Sequence, residues 1–108
     1  MRVRFLPFLP NEKEKAMKRK DVLETAIQTV CADRQDQYGE PENTFTDIAK
    51  LWSVYLGRTV SAEDVALMMA LLKIARIKVG EFKADNYTDL CGYGALAYEV
   101  SNKGEEGC

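Results

Sequence analysis

Apolar residues recur along this chain at three- and four-residue intervals, the period of helices that bury one face. Val22, Leu23, Ala26, Ile27, Val30 and Cys31 define a first helix from about Lys18 to Arg34. The polar stretch Gln35 to Asn43 follows, with Tyr38-Gly39 as a turn and Pro41 near the next helix start. A second helix runs from Asn43 or Thr44 to Leu56. Its apolar face holds Phe45, Ile48, Ala49, Leu51, Trp52, Tyr55 and Leu56, and Gly57 suits its C-terminal stop. Ser61 and Asp64 have the spacing of a capping box and open a third helix that reaches Ile77 or Lys78, where Gly80 ends it. Apolar residues cover nearly all sides of this helix, which predicts a central position or a subunit contact. A fourth helix runs from about Asp85 to Asn102, with Gly104 as its terminator. Gly92 and Gly94 lie inside it. Each costs roughly 1 kcal/mol relative to alanine, and close approach of another helix or a ligand is the usual offset. No segment alternates with period two and none repeats. The expected fold is all-α, a small bundle of four main helices.

The chain has 108 residues, room for one domain with a modest core. A thin core beside so apolar a third helix predicts a homo-oligomer. Formal net charge is −2, which removes general electrostatic binding to nucleic acid or an anionic membrane. There is no histidine, so the commonest general base and transition-metal ligand is missing. The three cysteines, Cys31, Cys91 and Cys108, fit no CxxC motif. Cys31 and Cys91 on apolar faces read as reduced core residues and Cys108 as part of a loose tail, a cytosolic pattern. The apolar run Phe5 to Pro10 is too short to span a bilayer. Residues 1–16, with two prolines and a run of alternating charge, read as a disordered N-terminal segment, residues 17–103 as the helical domain and 104–108 as a flexible tail. Met17 is a candidate start, because Lys-Glu-Lys ahead of it can be encoded by a ribosome-binding sequence. A genuine N-terminal arm is the competing reading.

Charge inside the apolar runs carries the candidate chemistry, since buried charges must be paired or bind something. Lys73 and Arg76 share a face of the third helix, and Asp85, Asp89 and Tyr93 share one on the fourth. The cations suit phosphate or carboxylate; equally, they can pair with Asp85 or Asp89. The two carboxylates could contribute to a Mg²⁺ site. Alternatively, Asp85 caps its helix and Asp89 pairs with Arg76. Around the first loop, Arg34 could clamp a phosphate and Tyr38 stack on a base. Their structural reading is a helix-end cation followed by a turn. Trp52, Tyr55, Met68 and Met69 are better explained by packing.

The string Asp33-Arg34…Tyr38-Gly39-Glu40-Pro41…Asn43…Phe45…Ile48-Ala49…Leu51-Trp52…Tyr55-Leu56-Gly57 resembles an uncharacterised family of small phage and prophage proteins. So does Asp64-Val65-Ala66…Met69…Leu72-Lys73…Ala75-Arg76, followed by Asp85-Asn86-Tyr87…Asp89…Gly92-Tyr93. Together they cover about residues 20–98. The second half is more distantly similar to all-α nucleotide pyrophosphohydrolases of the MazG type and to phage nucleotide-modification-associated domains. In the MazG type, an ExxE motif and a later ExxD motif hold magnesium. Here the later motif reads Asn86-Tyr87-Thr88-Asp89, so only Asp89 matches, and the third helix has no ExxE.

These resemblances imply a nucleotide-shaped pocket without a complete metal set. The expected function is non-catalytic sequestration of a nucleotide or nucleotide-derived immune signal, as small oligomeric phage proteins do, in the host bacterial cytosol. No cofactor, resident metal or membrane is expected. Arg34, Lys73 and Arg76 would hold phosphates, and Tyr38 and Tyr93 would contact base or ribose. Asn43, Asp85, Asn86 and Asp89 would supply hydrogen bonds. The alternatives are a Mg²⁺-dependent nucleoside triphosphate pyrophosphohydrolase and a structural or protein-interaction module.

Overall fold

Helix-forming periodicity produces four α-helices and no strand among the described residues of the computed structural model, which are 16–33, 41–80, 82–102 and 104–108. Helix α1 spans Arg19–Gln28 and continues into one π-helical segment, Thr29–Asp33. Helices α2, α3 and α4 span Pro41–Leu56, Ala62–Lys78 and Ala84–Glu99. The segment 1–15, Arg34 and the turn at Tyr38-Gly39 lie outside the described residues.

Local chemistry sets the boundaries. Helix α2 begins at Pro41, two or three residues before the expected start. The first helical turn needs no backbone N–H, and proline's φ is already helical. It ends on Gly57, whose φ of +70° lets its N–H and that of Arg58 both donate to the Ser53 carbonyl. Ser53 also ties this end to the next element. Its hydroxyl donates to the Ala49 carbonyl at 2.7 Å and accepts the Val60 N–H at 2.8 Å. Helix α3 has the expected reciprocal cap. The Asp64 N–H donates to Ser61 Oγ, and the Ser61 N–H to Asp64 Oδ2.

Helix α4 departs from expectation at both ends. Its N-cap is Lys83, so Asp85 sits in the first turn, where its charge still suits the positive end of the helix dipole. It stops at Glu99, three residues early. There the Ser101 N–H and hydroxyl both turn back to the Tyr98 carbonyl, and Asn102 takes a φ of +72°. Gly104 is no helix terminator. A Cβ there would lie 2.8 Å from the Tyr98 carbonyl oxygen, so the glycine lets the tail fold back on α4.

Helix α3 packs against both α2 and α4, and α4 also packs against α1. The core joins Phe45 and Ala49 of α2, Val65 and Ala66 of α3, and Leu96, Ala97 and Val100 at the end of α4. Trp52 and Tyr93 are half-buried against it. Gly92 answers the expectation of a close approach. A Cβ there would come 2.9 Å from Val30 Cγ1, so the π-helical extension of α1 sits directly on α4. Gly94 has open space around it and shows no such reason.

The cysteine reading needs correction. Cys31 is bonded to Cys108, with a Cα–Cα distance of 5.8 Å across 77 residues of sequence. The tail returns along α1 and α4, which places its last residue beside the π-helical segment. Cys91 is a free, half-buried thiol.

Candidate functional site

The candidate site lies on the seam between α3 and α4. Lys73 is at the middle of α3, on the side turned inward, and is only 7% exposed. Its Nζ lies 3.0 Å from Asp89 Oδ2 of α4. The Asp89 side chain keeps 30% exposure, so the pair runs from a nearly dry ammonium to a carboxylate that still meets water. Asp89 thus meets Lys73, one turn before Arg76.

Spacing places the other seam residues. Arg76 follows Lys73 by three residues on α3 and is half-buried. On α4, Asn86, Asp89 and Tyr93 follow one another at three- and four-residue intervals. Asn86 is buried, and Tyr93 is half-buried against the core. Thr88 is also buried, and its hydroxyl donates to the Asp85 carbonyl at 3.1 Å. Five of the nine expected ligand residues therefore share one seam: Lys73, Arg76, Asn86, Asp89 and Tyr93. Asp85 is exposed in the first turn of α4, and Asn43 is exposed in the first turns of α2. Arg34 and Tyr38 fall outside the described residues.

The donor set suits anions and hydrogen-bonding groups better than a cation. Among the described residues no group of three histidine, cysteine or acidic side chains converges. Lys73 already occupies one oxygen of Asp89.

A separate groove of about 450 Å³ runs between α1, α4 and the returning tail. Ile27, Val30, Leu96, Tyr98 and Glu99 line it, with Glu105 at the tail. None of the seven expected ligand residues among the described ones lines it. Among the described residues its walls are mostly apolar and its charges acidic, Glu99 and Glu105. Glu99 had no signal in the sequence, because a lone glutamate near a helix end reads as surface. No helix among the described residues is long and apolar enough to cross a membrane.

A small all-helical domain with a polar seam between two central helices is the class defined by this geometry. Within that class, the chain belongs to the family described as DUF6378, a domain of unknown function, which matches residues 21–101. It is 38% identical over 86 residues to the Gene 55 protein of Mycobacterium phage D29, covering 80% of this chain and 57% of that protein. It is 37% identical over 76 residues to the Gene 55 protein of Mycobacterium phage L5, covering 69% of this chain and 49% of that one. The chain thus spans about half the length of these relatives. No solved structure matches it. The expected kinship with phage proteins stands; the MazG-type likeness finds no counterpart in these matches.

Proposed function

We propose that this chain binds a nucleotide or a nucleotide-derived signal at the α3–α4 seam and sequesters it without catalysis. One observation carries the reading: a lysine is held in the molecular interior by one partly exposed carboxylate, with an arginine one turn further on. Lys73 and Arg76 bring two cationic side chains to one helix face, and a guanidinium grips a phosphate with two parallel hydrogen bonds. Asn86 and Tyr93 on the facing helix supply an amide and a ring of the kind that contacts a base or ribose. The proposal extends to an anti-defence role in the host cytosol, for which kinship with mycobacteriophage proteins supplies the phage setting alone. Magnesium-dependent pyrophosphate release is the less supported alternative, because such chemistry assembles several oxygen ligands around the metal and Lys73 already occupies one oxygen of Asp89.

The test is native mass spectrometry of the full chain, freshly isolated and after mixing with a panel of linear and cyclic nucleotides. A nucleotide retained and released unchanged is the expected result. Arg76→Lys should keep the fold and weaken binding at least tenfold, because an ammonium cannot reproduce the two-pronged contact. Normal binding by Arg76→Lys would remove Arg76 from the site. Pyrophosphate release that disappears in Asp89→Asn would replace the binder with the hydrolase.

A second reading has its own support. The Lys73–Asp89 pair is already a satisfied internal contact, which is what a structural module requires. Absence of binding across the whole panel would favour it.

A further inference from the structure

Helix α3 has two characters. The side carrying Val65, Ala66, Ala70 and Lys73 is buried. The opposite side carries Leu67, Leu71 and Ile74, flanked by Met68, and these apolar residues are exposed, Leu71 to 61%. They follow at four- and three-residue intervals, so they form one continuous stripe. Charge appears on that side only at its ends. Glu63 and Asp64 stand at the N-terminal end and Lys78 at the C-terminal end, all exposed.

We infer that this stripe is the contact between two copies of the chain, with their α3 helices antiparallel about a two-fold axis at Leu71. The arrangement of charges selects this occupant. A parallel pair would place acid against acid and lysine against lysine. An antiparallel pair with the axis at Leu71 brings the two copies of Leu71 together. Met68 then meets Ile74 of the second copy, Leu67 meets Ala75, and Asp64 meets Lys78. Each copy contributes the same patch, as a two-fold contact requires. Opposite charges bracket an apolar centre at both ends, the arrangement that sets register in helix pairs. Lys73 and Asp89 lie on the other side of α3, so the contact leaves the seam open. This inference goes beyond the binding proposal and does not depend on it.

The test is the mass of the full chain in solution by light scattering at tens of micromolar. Twice 12.2 kDa is expected. Leu71→Asp should give a folded monomer with unchanged helical circular dichroism, since the side chain is exposed in a single copy. Should that variant unfold, the charge variants decide alone. Asp64→Lys, which keeps the Ser61 Oγ cap on the residue-64 N–H, and Lys78→Glu each set like charges at both ends of the contact and should weaken self-association about tenfold. Mixed together they should regain it, because a mixed pair restores an acid against a lysine at each end. A monomeric native chain overturns the inference. Loss of thermal stability by Leu71→Asp in such a monomer would show that another part of the chain, such as residues 1–15, covers the stripe. A dimer that survives Leu71→Asp places the contact elsewhere, and a mixture no stronger than its components overturns the antiparallel register. Nucleotide retention is read separately, so failure here does not touch the binding proposal.

Discussion

Lys73 and Asp89 form one ion pair but depend on it unequally. The lysine side chain is 9% exposed and the aspartate 30%. Removing the carboxylate leaves an ammonium in the interior with its partner gone. Removing the ammonium leaves a carboxylate that can recover water. Breaking a fully buried pair costs roughly 3–5 kcal/mol, and partial exposure lowers that figure. Asp89→Ala is therefore expected to cost about 3 kcal/mol and Lys73→Met about 1 kcal/mol or less, since methionine keeps much of the packed stem. Urea unfolding of both variants checks the asymmetry, and equal losses would show that the lysine reaches water. Much of this site was legible beforehand, because charges inside apolar runs at helical spacing announce a polar seam. That Lys73 and Asp89 in particular meet was not. It depends on how one helix is rotated against another, and a spacing along a single helix does not carry that.

Glycine inside a helix shows how an element is constrained by its neighbours. Gly92 and Gly94 are two residues apart in α4 and look alike in sequence. The fold separates them. Gly92 faces Val30 with no space for a methyl group, whereas Gly94 faces open space. Alanine in a helix interior gains about 1 kcal/mol over glycine. Gly94→Ala should keep that gain and stabilise the chain by about 0.5–1 kcal/mol. Gly92→Ala meets Val30 at 2.9 Å and must push α1 away, so overpacking should exceed the propensity gain and destabilise by about 1–2 kcal/mol. Thermal unfolding of the two variants should shift in opposite directions. Existence and order of the four helices followed from periodicity because each buries one face. Their ends were less legible. The π-helical segment at Thr29–Asp33 packs through Val30 against Gly92, and the early stop of α4 follows from Ser101 turning back to the Tyr98 carbonyl; periodicity encodes neither.

For the molecule as a whole, the consequential departure from the sequence reading is the closure between Cys31 and Cys108. An odd number of cysteines without a motif gave no reason to join two of them. Nothing local could have done so, since the partners are 77 residues apart and meet only because the tail turns back along α1 and α4. That separation gives the bond its leverage. In the chain-entropy account, a cross-link stabilises by restricting the unfolded chain, and a loop of this size is worth about 4.5 kcal/mol as an upper bound. A small domain with a thin core would feel such a contribution strongly. Cys108→Ser should therefore lower the urea midpoint of the oxidised protein, and a reducing agent should lower the native chain by the same amount. The agent should leave Cys108→Ser unchanged, because the remaining thiols, Cys31 and Cys91, are not cross-linked in that variant. A Cys108→Ser protein as stable as the oxidised native chain would mean that the returning tail is held by its packing at Gly104 and the bond adds nothing.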